Sequence, residues 1–448
     1  MILTGGTVVS SLDPVLIAEG DVHVTNGRIA TEGGAERCDC SGCLVVPGNV
    51  CAHTHLYSAL ARGMPYDLAP PESFLQILQR IWWRLDRALD EESVRASALV
   101  GGMEALLSGT TTLVDHHASP NAIDGSLDVI EDALRSLGVR SVLCYETSDR
   151  DGPERARAGL AENRRFVERV QREQPLLTRG LIGAHASFTL SDETLAAGAA
   201  AAADLEVGLH IHAAEDAVDE RDSVALHGIG VVARLAEAGA LDHRTLLAHG
   251  VHLDDQEIDL VRSATAFLAH NARSNMNNAV GRARLDDLGP RIALGTDGIG
   301  SDMFEESRTA FFRLREDHSG AGADWPLARL SQGARLVGAA FDEQYFGRIE
   351  AGAPADLVVL DYATPAPLTI GSFPGHWVFG LGSRHVRDVM VAGEWVVLDR
   401  RLARMDAQEL AAGARLQAER LWARLEEIGP HEFEPKGGRR WPSPLTIE

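Results

Sequence analysis

Histidine and carboxylate residues recur at the ends of short apolar runs in this chain, and four of them are spaced for metal chemistry. His53 and His55 flank Thr54 at the end of LVVPGNVCAHTH. Side chains two apart on a strand point to one side, so both imidazoles can face a common point. His212 closes EVGLHIH and Asp297 closes RIALGTD. Three histidines and one carboxylate suit one divalent ion, zinc first and iron(II) second, with a position left for water. Glu215 lies in HIHAAED just past His212, where a carboxylate can reach that water and shuttle its proton. His249 ends TLLAH and can hydrogen-bond the water or a developing oxyanion. Singly, each histidine reads as a hydrogen-bonded core residue and Glu215 as a charge favourably placed at a helix start. Together at strand ends they read as a hydrolytic centre.

The elements that must gather these groups follow from the runs themselves. Eight apolar runs, ending near His55, His116, Glu146, His185, His212, His249, His270 and Asp297, are separated by helix-length stretches. Continuous apolar strands alternating with helices imply a parallel sheet buried on both faces. Polar ends on all eight runs favour an α/β chain with a (β/α)8 TIM-type barrel and its site at the C-terminal face. A doubly wound sheet would concentrate its site at one switch point. Short β-like runs at both ends, with turns at Asn26-Gly27 and Gly393, predict a small composite β-sandwich domain. The expected partition is 1–50 and 346–402 for the β domain, 51–345 for the barrel, and 403–448 for a terminal helix and tail. The helix is DAQELAAGARLQAERLWARLEE, amphipathic and docked, and the residues after it read as a loose or strand-exchanging end.

Composition removes other classes. The 448 residues carry 42 basic and 65 acidic side chains, a formal charge of −23, which disfavours nucleic acid as a partner. No stretch has the apolar length of a membrane span, and Met1 leads into ILTGGTVVSS without a leader pattern. Five cysteines are an odd set for a disulfide scaffold, so a cytoplasmic enzyme is expected. Cys38, Cys40 and Cys43 read as structural rather than as a metal site. His116 and His117 diverge on their strand, so at most one enters the pocket. His116 is assigned to the substrate, with a turn-stabilising role as the alternative. Trp82 or Trp83 is expected to pack a helix or lid, Trp82 also walling a flat heterocycle.

The runs VVPGNVCAHTH, HIHAAE, LLAHGVHL, HNARSNMNNAVG and LGTDG resemble the amidohydrolase superfamily. The likeness is to its cytosine deaminase, triazine hydrolase and S-adenosylhomocysteine deaminase branch. It is strongest to SsnA-type aminohydrolases, through HTHLYSALARGMP, IWWRLDRALDEESV and TTTLVDHHASPNAIDGSLDVI. It spans nearly the whole chain. It implies that His53, His55, His212 and Asp297 hold one metal and that Asp297 also takes a proton from the water. Glu215 then protonates a ring nitrogen, His249 polarises the intermediate, and His185 contacts substrate. Ala272 stands where the branch has proline, and NMNNAV replaces a Lys-Leu pattern, so substrate does not transfer through this loop. Binuclear members bridge two metals with a barrel lysine, whereas the one lysine here is Lys436, which implies a mononuclear site. The expected reaction is hydrolytic deamination of an amino-substituted heterocycle such as a purine, pyrimidine or triazine, releasing ammonia. Opening of a cyclic amide or amidine at the same site is the alternative. A non-catalytic metal-storage protein would need neither Glu215 nor His249. A homo-oligomer, dimer or larger, is expected.

Overall fold

Each of the eight apolar runs forms a strand, and every strand among them lies parallel to its neighbour. The computed structural model describes residues 1–317 and 320–437; positions 438–448, the end expected to be loose or strand-exchanging, lie outside the described residues. Strands β1 (Ile2–Leu12), β2 (Val15–Thr25), β3 (Arg28–Ala30), β4 (Arg37–Asp39) and β5 (Leu44–Pro47) come first. A four-stranded parallel sheet follows: β6 (Asn49–Thr54), β7 (Thr110–His117), β8 (Arg140–Tyr145) and β9 (Thr178–Gly180). A five-stranded parallel sheet comes next: β10 (Ile182–Ala186), β11 (Leu209–Ala213), β12 (Leu246–His249), β13 (Phe267–His270) and β14 (Ile292–Leu294). Only Leu181 separates β9 from β10, so the fourth run serves both arcs. Residues of β6, β7, β8, β11, β12 and β13 are buried throughout, as strands covered on both faces must be.

The two arcs meet at two seams, each a single parallel bridge, Thr147 with Ala184 and Thr54 with Asp297. At the second seam, Thr296 N and Asp297 N donate to His53 O at 2.8 and 3.1 Å, and His55 N donates to Asp297 O at 3.2 Å. Gly295 permits this approach, since a Cβ there would lie 2.4 Å from Asn271 Oδ1 and 2.8 Å from His53 Cβ. The seam therefore fixes the first and last strand ends against each other, and with them His53, His55 and Asp297.

Strands from both chain ends share one sheet. With β15 (Leu357–Leu360), β16 (Val386–Val391), β17 (Glu394–Leu398) and β18 (Arg401–Leu402), its nine strands run β18-β17-β16-β15-β5-β1-β2-β3, with β4 on β1. Cys40 and Cys43 are buried in its core beside Leu357 and Met390, and burial pushes the Cys40 thiol up to about 12. Among the described residues, no candidate metal group includes Cys38, Cys40 or Cys43. The helix Glu91–Leu107 starts on an Asp90–Ser93 capping box, and Gly109, with φ of 78°, turns the chain into β7. The terminal helix Ala407–Glu426 is docked, with Leu421 and Leu425 buried and Trp422 Nε1 donating to Leu60 O at 2.9 Å. Beyond it, His431 N donates to Gln79 O at 2.8 Å, and the Phe433 ring lies 5.7 Å from Trp83. No helix among the described residues is long and apolar enough to cross a membrane.

Candidate active site

The expected metal residues converge at the strand ends. His55 Nε2 lies 3.1 Å from His212 Nε2 and 3.1 Å from Asp297 Oδ1, and His53 Nε2 lies 3.7 Å from the same oxygen. The candidate ligand atoms form two overlapping groups, each within 4.8 Å: His53, His55, His116 and His212, and His53, His212, His249 and Asp297. Ala214, His249 and Asp297 hold left-handed backbone, with φ of 50°, 74° and 55°. Non-glycine residues adopt that conformation at a cost that the surrounding structure must hold, and here it aims side chains off three strand ends.

Hydrogen-bond partners fix which ring nitrogens are bare. His55 Nδ1 donates to His116 O at 2.6 Å and His212 Nδ1 donates to His185 O at 2.9 Å, because a carbonyl only accepts. Their Nε2 atoms then face each other as two lone pairs, which cannot satisfy one another. His53 Nε2 is buried with no hydrogen-bond partner. Three bare nitrogens beside a carboxylate call for a cation, and the residues present fit a divalent ion. In the metal-free chain a proton meets part of that demand. Burial lowers His55, but the hydrogen bond and charge of Asp297 and the charge of Glu146 outweigh it and raise it to about 9. His53 is held down to about 3, chiefly by burial. Burial alone would raise Asp297; the His53 and His55 imidazoles beside it outweigh that and hold the carboxyl well below its usual range.

Glu215 and His249 sit beside this group. Burial, and then the charge of Asp297, push the Glu215 carboxyl well above its usual range, which favours its acid form. Its Oε2 lies 3.5 Å from His249 Nε2, which is 3.8 Å from Asp297 Oδ2. His249 Nδ1 donates to Asn275 Oδ1 at 2.7 Å, Asn278 Nδ2 donates to Glu215 Oε1 at 3.4 Å, and Ser274 Oγ donates to Asp297 Oδ2. The segment after β13 thus holds all three groups in place. Sequence reasoning identifies it only as a pocket border, although the polar run SNMNN directly after a strand end was the available signal.

Above this floor is a pocket walled by Phe74, Trp82, Trp83 and Phe188, with His185 at one side. Trp82 and His185 line it as expected, and so does Trp83, which is 1% exposed. A π-helical turn over Leu78–Trp82 precedes Trp83 and turns both indoles toward the cavity. His116 does not line the pocket; it has no exposed surface and lies under the metal residues, its ring 4.5 Å from His210. The inward face of β7 places His116 beneath the pocket floor, so its expected contact with substrate gives way to a buried position. His117 points the other way and contacts Ser119 Oγ at 2.8 Å.

Sequence spacing also misses a buried ionic network behind the wall. Arg150 pairs with Asp86, with Glu146 Oε1 at 3.4 Å and with Asp151 Oδ2 at 3.3 Å, and its Cζ lies 5.3 Å from the Trp83 ring centroid. Burial pushes Asp86 up to about 7 in spite of that guanidinium. Arg150→Met leaves two buried carboxylates without their cation, and a loss of ~3–5 kcal/mol is expected in urea unfolding. The double variant with Asp86→Leu should recover part of it. A single variant as stable as the parent would show that the network contributes nothing.

Residues 44–396 match the Amidohydrolase family, and the chain belongs to that family. It is 31% identical over 424 residues to a 5-methylthioadenosine/S-adenosylhomocysteine deaminase of Desulforudis audaxviator, covering 90% of this chain and 95% of that one. It is 31% identical over 385 residues to a 5'-deoxyadenosine deaminase of Methanopyrus kandleri, covering 84% and 86%. Among solved structures, an adenosine deaminase of Xanthomonas campestris with bound zinc superposes with a TM-score of 0.83 at 26% identity, covering 95% and 98%. An atrazine chlorohydrolase of Arthrobacter aurescens superposes at 0.80 with 21% identity, covering 93% and 99%, and shares the fold. The chain is thus a hydrolase, and the structures it resembles are of TIM-barrel type.

Proposed function

We propose that this chain is a metal-dependent aminohydrolase that removes the amino group of a purine-, pyrimidine- or triazine-like heterocycle as ammonia. The observation that carries this reading is the buried Glu215 carboxyl beside three imidazole nitrogens and Asp297, at the floor of an aromatic pocket. The names of the relatives, deaminases of adenosine derivatives, support the reaction type.

His53, His55, His212 and Asp297 would hold one divalent ion, zinc by preference for this donor set. When bound, that ion supplies an activated water at neutral pH. The aromatic walls hold the heterocycle flat over the floor. Asp297 accepts a proton from the attacking water. Glu215 delivers its proton to the ring nitrogen next to the attacked carbon, which makes the amino group a leaving group once it is protonated in turn. Asp297 passes the proton it took from the water to the amino group, which leaves as ammonia, while the proton of the hydroxyl added at that carbon returns to Glu215; His249, its Nδ1–H committed to Asn275, orients that hydroxyl through Nε2 as acceptor.

The partition that goes with this reading closes the two arcs into one eight-stranded barrel over 51–345. Residues 1–50 and 346–402 form the small composite β-sandwich, and 403–448 the terminal helix and tail. It rests on the two seam bridges and the shared sheet. A cytoplasmic homo-oligomer completes the proposal. It is supported by exposed Phe312 and Phe379, 46% and 69% accessible with rings 6.0 Å apart, and light scattering checks it.

Zinc-loaded protein incubated with aminopurines, aminopyrimidines and aminotriazines is expected to release one ammonia per substrate with the ring intact. A product that gains one water and keeps its nitrogen would replace this reading with ring opening.

A further inference from the structure

We infer that the pocket admits uncharged or cationic heterocycles and rejects those bearing a phosphate or carboxylate; this rests on the aminohydrolase reading above. Among the described residues, those lining the pocket include Glu146, Asp216 and Asp219 besides Glu215 and Asp297, and no lysine or arginine. Recognition of a phosphate or carboxylate needs a guanidinium, an ammonium or a nest of free donors. The guanidinium of Arg150 behind the wall is 2% exposed and committed to three carboxylates. The groove next to the pocket shares Trp82 and Gly298 with it and contains Arg62. That arginine is held by both oxygens of Glu104, each at 2.7 Å, so the pair offers no net charge. The one lysine of the chain, Lys436, is not among the lining residues.

What the pocket does offer is an acceptor edge. Glu146 is 4% exposed, lines the cavity, and has Oε1 3.6 Å from His185 Nε2. A ring N–H turned toward it would be bound, whereas an anionic substituent would meet Asp216 as a like charge and find no free cation among the described lining residues. The favoured ligand is a flat heterocycle with an N–H edge and neutral or cationic substituents.

The test compares matched pairs on the zinc-loaded full chain: adenosine with adenosine 5'-monophosphate, cytidine with cytidine 5'-monophosphate, and 5'-methylthioadenosine with S-adenosylhomocysteine. Ammonia release gives kcat/KM, and tryptophan fluorescence reads binding independently of turnover. Within each pair the neutral member is expected to exceed the carboxylate- or phosphate-bearing one by about 100-fold or more in both measurements. Asp216→Arg should narrow the gap. Anionic members handled within tenfold of their partners overturn the charge selection and leave the aminohydrolase reading standing. Neutral members that bind selectively without releasing ammonia overturn that reading and leave the charge selection standing. No binding or turnover of any neutral member overturns both.

A second inference comes from different atoms, those behind His53. The geometry points to His210 and Cys144 as positioning residues that set the tautomer of His53. His53 Nδ1 lies 2.9 Å from His210 Nε2, His210 Nδ1 lies 3.6 Å from Cys144 Sγ, and Cys144 Sγ lies 3.6 Å from Asp115 O. All four residues are 0% exposed. The carbonyl of Asp115 only accepts, so the thiol donates to it. The sulfur then accepts from His210 Nδ1–H, which leaves His210 Nε2 as an acceptor. His53 must therefore carry its hydrogen on Nδ1 and present a bare Nε2 to the floor of the pocket.

Zinc affinity, measured by competition with a chromophoric chelator, and the protonation state of His53 Nδ1, measured by nitrogen NMR, test this. His210→Phe should weaken zinc binding about 10–100-fold, and His210→Gln, whose amide oxygen can accept, should restore most of it. If His210→Phe does not fold, Cys144→Ser should hold zinc as the parent does while Cys144→Val holds it more weakly. Parental zinc affinity in His210→Phe, or no difference between the two members of either pair, overturns the relay. So does a parent chain that binds two zinc ions and loses one in Cys144→Ala, since His116, Cys144 and His210 would then be a second metal site.

Discussion

Glu215→Gln should leave zinc bound and lower kcat for deamination by about 10²–10⁴-fold. The amide matches the carboxyl in shape and can still accept from Asn278, but it has no proton to deliver to the ring nitrogen. Burial and the charge of Asp297 push the Glu215 carboxyl well above its usual range, which favours the acid form, and that form is lost as pH rises through the raised value. The parent enzyme should therefore lose kcat on the alkaline side. The variant should lose that limb of the profile together with most of its rate. Zinc content and a pH–rate series on both proteins check this, and an undiminished rate in the variant would exclude Glu215 as the proton donor.

His212→Ala should abolish zinc binding and, with it, activity. Removing His212 takes away one of the two lone pairs that face each other across 3.1 Å and leaves His55 to be satisfied by its proton and Asp297. Zinc at 1,000 times its dissociation constant contributes about 4 kcal/mol to the stability of a protein that binds it only when folded. The parent chain should show that stabilisation as a zinc-dependent rise in Tm, and His212→Ala should show none. A variant that retains one zinc per chain and its thermal shift would move the site to His116, Cys144 and His210, the candidate group among the described residues that lacks His212.

The ligand candidates are legible in sequence because the cues are local. Alternation puts His53 and His55 on one side of β6, and run ends locate His212 and Asp297 without any knowledge of the sheets. Other features depend on contacts that spacing does not encode. Alternation correctly divides His116 from His117, yet it does not reveal the level at which the inward residue sits, and His116 proves to lie beneath the floor. Trp83 faces the cavity beside Trp82 because a π-helical turn changes the helical frame just before it. Asp86 and Arg150 are 64 positions apart and meet only when the helix Trp83–Ala88 packs against the loop that follows β8. Asn275 and Ser274 look like ordinary helix-start residues until the last strand end arrives beside them.

The shared sheet also sets an order of assembly. β5 has β1 on one side and, antiparallel on the other, β15, which is translated only after the whole barrel. A ribosome adding about 5–20 residues per second leaves that edge of β5 unpaired for on the order of tens of seconds. During that time the nascent chain carries a row of free backbone donors and acceptors flanked by Leu44, Val45 and Val46, the type of edge on which foreign strands add. Chaperone dependence during synthesis, followed by independence once Leu357–Leu360 has docked, is the cellular consequence of building one sheet from both ends of the chain.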